Sequence, residues 1–535
     1  MELLTKRIHT SQRNCRSDIQ LTLEDDINVP DSKPDIEHII KVQGEIQIQE
    51  AVTETDRAIV RGQLVFSLLY LSDADFRQVH TMSGQIPFEE SINMEGALPE
   101  KEMHCHYDLE DCQSSLINSR KISIRAILSL HCCQDTEESV SVGTGIVTDD
   151  AIEAEMGEMV APDGVQQQFE PMSITTMVMQ KKDIFRIKDE TSLPKGKPNC
   201  ESLLYYELST QGLTTRMVED GLRITGDLLV FVLYAPEDDD RNLEYFETEL
   251  PFDGIVSCNG CSEDMIADVT ITPGKKILEF RDDEDGEERI LDVELSLHLD
   301  IKFYEEERFE YLKDAYSTAC ELQLIRDKSN AKRLLVKNQS SLRISDRIKI
   351  DADREGILQI CNATGAIRID DQKIVEDGIE IEGVVELDIL YITEDDMRPL
   401  SVIKGSIPFH HTIEVRGISD SDDYELQTDI NSINVIMLDR EEIEAKLVLN
   451  LCVLVFAECC NDVITAIVEV PMDMARFQEM PGLVGYIVQD GDSLWNIAKT
   501  YHTTMDCIRS LNHMEQDTLK RGDKLLLLKQ TEGVL

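Results

Sequence analysis

Leu222-Arg223-Ile224-Thr225-Gly226-Asp227-Leu228-Leu229-Val230-Phe231-Val232-Leu233-Tyr234 is an apolar, β-rich run with a glycine in its centre. It aligns without a gap with Ala58-Ile59-Val60-Arg61-Gly62-Gln63-Leu64-Val65-Phe66-Ser67-Leu68-Leu69-Tyr70 and with Ile379-Glu380-Ile381-Glu382-Gly383-Val384-Val385-Glu386-Leu387-Asp388-Ile389-Leu390-Tyr391. From each glycine a tyrosine lies eight residues on, and a Pro-Phe pair begins 25 residues on (Pro87-Phe88, Pro251-Phe252 and Pro408-Phe409). A repeat of this period decides the architecture before any local assignment. Short alternating runs separated by turn clusters, and not by helices, predict mostly antiparallel β domains of about 150 residues each.

Upstream, Val29-Pro30-Asp31-Ser32-Lys33-Pro34-Asp35 matches Leu193-Pro194-Lys195-Gly196-Lys197-Pro198-Asn199. The third copy has neither proline at the corresponding Asp351-Ala352-Asp353-Arg354-Glu355. Downstream, each unit ends in a further alternating strand, at 122–130, 290–303 and 443–456. Asp73-Ala74-Asp75, Glu237-Asp238-Asp239-Asp240 and Glu394-Asp395-Asp396 fall where hairpins turn. Their spacing matches no EF-hand loop, so they read as solvated tips and not as calcium sites.

The chain of 535 residues holds 105 acidic and 52 basic side chains, a formal charge of −53. Such a polyanion cannot neutralise nucleic-acid phosphates over its general surface, and an acidic membrane would repel it. No basic run exceeds two residues, as at Lys181-Lys182. The first residues carry an early acid and no apolar stretch of signal-peptide length, so export by that route is not expected. No apolar run reaches the roughly 20 residues of a membrane span. The 14 cysteines lack a framework spacing and read as reduced, buried thiols of a cytosol. Cys258-Asn259-Gly260-Cys261 has no second CxxC to complete a zinc or redox site. In His104-Cys105-His106, near Cys112, strand alternation sends the histidines to one face and Cys105 to the other, which argues against a shared metal. No nucleophile elbow, phosphate loop or HExxH is present, and no acid pair stands out, so neither a catalytic residue nor a cofactor or metal site is assigned.

Composition changes near Met480-Pro481-Gly482. The first 484 residues hold 46 basic and 98 acidic side chains, whereas residues 485–529 hold six of each. In this module Tyr486-Ile487-Val488 reads as a strand, and Asp492 or Ser493 caps a helix through Leu494, Ile497, Ala498 and Tyr501. Thr503-Thr504 opens a second helix that ends near Asn512, and Lys524 to Leu528 form a closing strand. The expected fold is therefore mainly β: three tandem antiparallel β-rich repeat domains (1–155, 156–325 and a divergent 326–475), a linker (476–484) and a small βααβ module (485–529).

The repeat units resemble the SPOCS family of spore-coat-associated proteins, through Val29 to Asp35, the strand from Ile36, Gly62 with Tyr70, and Ile86-Pro87-Phe88. The terminal module resembles the LysM domain through Tyr486, Val488, Gly491-Asp492-Ser493-Leu494-Trp495, Ile497-Ala498, Tyr501, Thr503-Thr504, Ile508, Leu511-Asn512, Leu519, Gly522 and Leu525. The LysM resemblance implies a shallow groove for N-acetylglucosamine glycans or a protein partner. Gly491, Asp492, Ser493 and Leu494 would form one side, and Asn512, His513, Met514 and Leu519 the other. Trp495, the only tryptophan, is expected to pack.

Tandem units with a terminal LysM resemble endospore coat and cortex assembly proteins of the SipL and SpoVID kind. That implies a non-enzymatic scaffold in the mother-cell cytoplasm, at the forespore surface or spore coat, whose LysM engages the basement-layer ATPase SpoIVA. The alternative is a peptidoglycan-binding protein of the wall or spore envelope. Repeated modules would also raise effective concentration at an assembling surface.

Overall fold

The glycine-centred run of each repeat is the middle strand of a three-stranded antiparallel sheet. In the first copy β2 (Ile36–Glu54), β3 (Arg57–Ser72) and β4 (Val79–Asn93) form that sheet. β1 (Glu2–Asn28), β6 (Lys121–Val147) and β5 (Met103–Asn118) form a second, in the order β1-β6-β5. The second copy repeats both sheets with β7 (Val165–Ser192), β8 (Cys200–Val218), β9 (Gly221–Pro236), β10 (Glu244–Ser257), β11 (Ile266–Asp282) and β12 (Glu288–Ser317). The third does so with β13 (Glu321–Lys349), β14 (Ile357–Val375), β15 (Gly378–Thr393), β16 (Leu400–Glu414), β17 (Asp423–Met437) and β18 (Glu442–Val470). This is a computed structural model, and it describes residues 1–72, 79–99, 101, 103–147, 162, 164–237, 243–350, 355–395, 397–514 and 516–529. Asp73 to Asp75, Asp238 to Asp240, Asp351 to Arg354, Asp396 and Glu515 lie outside the described residues.

Alternation puts one apolar row of each sheet inward. Val60, Leu64 and Leu68 of β3 share a fully buried core with Ile124, Ala126 and Leu128 of β6. The repeat signature has a packing cause. Gly62, Gly226 and Gly383 pair across the sheet with Phe88, Phe252 and Phe409. A Cβ on Gly62 would come within 2.8 Å of the Phe88 ring and 2.7 Å of the Gln47 carbonyl. The aromatic lies over the bare backbone, so glycine and Pro-Phe are two halves of one contact. Tyr70, Tyr234 and Tyr391, all fully buried, donate their hydroxyls to the carbonyls of Pro34 (3.3 Å), Pro198 (3.0 Å) and Glu355 (3.1 Å).

The Pro-x-x-x-Pro segment is gripped by an arginine. Arg120 donates to the carbonyls of Val29, Pro30 and Lys33 at 2.7–3.0 Å, and Arg289 does the same to Leu193, Pro194 and Lys197 at 2.8–3.3 Å. The backbone carbonyls of Arg120 and Arg289 accept from Val29 N and Leu193 N, and the corresponding bond in the third copy runs from Ile350 N to Glu441 O. Glutamate cannot donate to carbonyls. The third copy has lost the arginine together with the prolines it holds.

The outer strands run to 27–30 residues, longer than the alternating segments visible in sequence. Their far halves leave the sandwiches and pack together. Ile8 and Val142 of the first copy, Met172, Ile174 and Tyr311 of the second, and Ala331 and Val463 of the third share one buried cluster. At the other end Leu69, Leu71, Leu204, Phe231, Leu233, Cys361 and Leu390 make a second three-copy cluster. β4 touches β8 and β16 touches β2, while Gln359 on β14 bonds the Tyr245 hydroxyl on β10. The copies therefore close head-to-tail into a pseudo-threefold ring. Polar side chains line the joint. Lys41 Nζ lies 5.3 Å from the Tyr205 ring centroid and 3.4 Å from Thr364 Oγ1, and Gln43 bonds the buried Glu207, which also pairs with Lys276 at 2.5 Å.

His104 bonds Asp300 of the second copy at 3.0 Å, His106 stacks on His131, and Cys105 faces Cys132 with sulfurs 3.5 Å apart. The two histidines and Cys105 thus serve separate contacts. Cys258 and Cys261 form a disulfide, which corrects the expectation of reduced thiols at that pair. The physical reason lies in the loop after β10. Cys258 N donates to Asp220 O and Asp220 N to Cys261 O, as Met94 and Ala97 bracket Asp56 in the first copy. The pair stands where the first copy buries two apolar side chains.

Candidate functional site: the terminal module and its seat

After α1 (Met474–Glu479), β19 (Leu483–Ile487) and β20 (Lys524–Leu528) pair antiparallel and flank α2 (Leu494–Thr500) and α3 (Met505–Asn512). Ser493 caps α2 by accepting from Asn496 N, and Thr504 caps α3 by accepting from Cys507 N. His513 ends α3 in the left-handed region.

The two expected loops are positioned by this frame. Gly491 turns at a φ of 88° with open space around its Cβ direction. Asp492 accepts from Gln489 N and from the Tyr486 hydroxyl, both at 2.7 Å, and Leu494 is buried. On the other side the Asn512 amide donates to the carbonyls of Ile508 and Leu526 at 2.8 Å and accepts from Leu526 N at 2.7 Å. Asn512 thus ties α3 to β20. Arg509 grips Asp517 through two bonds of 2.6 and 2.8 Å and holds its carboxyl below the usual range. Met514 and Leu519 lean on the same small core that Leu494 enters. Gly491, Ser493 and His513 remain exposed.

The module is seated on the second copy. Trp495 Nε1 donates to Asp314 Oδ2 at 2.8 Å, and Lys499 Nζ reaches both Asp314 oxygens at 2.7 and 2.8 Å. The Tyr316 ring meets the indole edge-on at 4.9 Å, and its hydroxyl donates to Thr503 O at 2.9 Å. Burial raises the Asp314 carboxyl, but the bonds from Lys499 and Trp495 outweigh it and leave it below the usual range. Trp495 therefore packs as expected, 8 % exposed, with its N–H committed to the body. Lys529 fastens the linker by donating to the carbonyls of Phe477 and Met480 at 2.6 and 3.0 Å.

Sequence reasoning missed Asp314 and Tyr316. A bulge falls at Thr144, Lys313 and Thr465 in the three copies. Counted from it, Asp314 stands where the others have Gly145 and Ala466, and Tyr316 where they have Val147 and Val468. The signal was this break in the repeat.

A family model described as the SipL, SPOCS domain matches residues 35–117, 200–274 and 356–438, and the LysM domain model matches residues 486–527. The chain is a tandem SPOCS–LysM protein. No curated protein and no solved structure matched it. Each SPOCS match covers the middle of a unit and leaves out most of the long strands that join the copies. Both domain families are non-catalytic. SPOCS domains mark a sporulation-associated protein, and LysM is a module capable of binding peptidoglycan, so the content is that of a spore-coat or wall-associated protein. Among the described residues no helix is long and apolar enough to cross a membrane.

Proposed function

We propose that this SPOCS–LysM protein is a non-enzymatic scaffold of endospore coat and cortex assembly, acting in the mother cell at the forespore surface. The SPOCS ring is its body, and the LysM recruits or anchors the coat basement layer through SpoIVA. The observation that carries this reading is the seating of the LysM: Trp495 and Lys499 are spent on Asp314, while Gly491, Ser493 and His513 face outward. A rigid head on a charged body suits positioning more than a search along a polymer. The partner groove lies between Gly491, Asp492 and Ser493 on one side and Asn512, His513, Met514 and Leu519 on the other, while Leu494, expected on its rim, is buried beneath it.

Capture of purified SpoIVA by the full chain tests this. Gly491→Trp should abolish capture; because a side chain strains that turn, Gly491→Asn, which tolerates the backbone, is the control that should keep it, and undiminished capture by Gly491→Trp would place the interface elsewhere. The second reading, direct glycan binding, is favoured by the LysM match itself. Sedimentation of the full chain with purified peptidoglycan, with no SpoIVA capture, would make it the correct one.

A further inference from the structure

At one point on the outer face of the first SPOCS sheet, the copies differ in the sign of their charge. In the first copy the cross-strand row reads Glu50-Arg61-Glu89, with Arg61 pairing Glu50 at 2.6 Å and Glu89 at 3.1 Å. One cation serves two acids. In the second copy the row is Thr214-Thr225-Asp253, and Arg223 from the next row covers Asp253. The third copy has Asp371-Glu382-His410. The central arginine has become a glutamate, with Asp371 directly opposite, and Glu380 stands two residues back on the same face.

Like charges directly opposed across strands are destabilising. Lys373 answers part of this through Glu380 Oε2 at 2.9 Å. Three carboxylates remain around one lysine and one imidazole. Glu380, Glu382 and His410 bring one ligand atom each to within 4.8 Å of one another, and His410 Nε2 lies 2.6 Å from Glu380 Oε1. In the first copy the equivalent central position holds Arg61, whose guanidinium bridges the two acids of its row.

We propose that Glu380, Glu382 and His410 bind a divalent first-row transition cation of the Zn2+ class. The cation would take the place that the arginine holds in the first copy. A neutral imidazole nitrogen with two carboxylate oxygens is a donor set for zinc, whereas calcium and magnesium select oxygen alone. Three protein ligands leave room for water or for an outside group. Lys373 stays on the second oxygen of Glu380 and orients that carboxylate as an outer partner.

The test is zinc titration of the full-length chain against a competing chelator, with thermal unfolding in parallel, on wild type, His410→Ala and Glu382→Arg. The arginine variant sets a guanidinium opposite Asp371, as Arg61 stands opposite Glu50 in the first copy, and is expected to fold. Each variant should lose one zinc equivalent or bind it at least about tenfold more weakly, in the range set by lost metal-site partners. Each should also lose the zinc-dependent rise in melting temperature. His131→Ala, in the first copy, should keep both. Wild-type zinc stoichiometry and melting shift in His410→Ala and Glu382→Arg would overturn the proposal, as would calcium binding at these residues as tightly as zinc.

Discussion

Asp314 is a single carboxylate that collects an indole N–H, an ammonium and, at 3.2 Å, the guanidinium of Arg326. Asp314→Ala should unseat the LysM at a cost of about 2–3 kcal/mol, because it strands partly desolvated donors. Trp495 is the only tryptophan, so its emission reports the seat directly: the variant should fluoresce at longer wavelength at pH 7 without losing β structure. The same contact sets a pH dependence. The folded-state carboxyl lies below its free value, so the stabilisation is full above about pH 4 and fades as pH falls through the folded value. An emission maximum that does not move on acidification would remove Asp314 from that role. Tyr316 and Asp314 could be noticed in the sequence only as a break in the repeat, and not as a seat, because their partners lie about 180 residues away.

At the level of elements, the antiparallel β class and the threefold repeat were legible because glycine, tyrosine and Pro-Phe recur at fixed offsets, each of which proves to be a packing or hydrogen-bond contact; the strand order, with the first strand of each unit paired to the last, was not. The arginine clamp was not, since its acceptors are backbone carbonyls that carry no sequence label. It separates the copies energetically. Arg120 is about a third exposed and satisfies three carbonyls, so Arg120→Ala should destabilise the chain by about 2 kcal/mol. Arg440 is 75 % exposed and pairs only with Glu394 among the described residues, so Arg440→Ala should cost under about 1 kcal/mol. Urea midpoints of the two variants would decide this; equal losses would mean that the clamp does not hold the Pro-x-x-x-Pro segment. In the LysM both helices were legible from spacing, and their caps were narrowed to Asp492 or Ser493 and to Thr503-Thr504, of which the structure uses Ser493 and Thr504. The groove loops were placed by resemblance, and the engagement of the Asn512 amide with β20 emerged only in three dimensions.

Ring closure was hidden at the scale of the whole molecule for a definite reason. The equivalent joint positions hold Lys41, Tyr205 and Asn362, three different chemistries, so a search for likeness passes over them. Between the second and third copies Gln427 donates to Asp268 at 2.9 Å, and Lys337 donates to Ala267 O at 2.6 Å. Burial, aided by the neighbouring Glu425, pushes the Asp268 carboxyl up to about 7. Its folded value lies above its free value, so this joint is strongest below about pH 4 and weakens as pH rises through 7. Asp268→Asn should remove the loss, raising the melting temperature relative to wild type at pH 8 more than at pH 5. The opposite order would show that Asp268 is ionised in the joint.

Closure of the three SPOCS copies on one another also fixes a valence. Three tandem modules on an open string could grip three partners, and the repeat alone suggests such multiplication. Here the inward surfaces of all three pack against their siblings, and among the described residues the LysM seat, Asp314 with Tyr316, lies on the second copy alone. A partner that docks on the LysM, as proposed above, would therefore meet one head per chain, and the multiplicity of an assembly built that way would come from the partner.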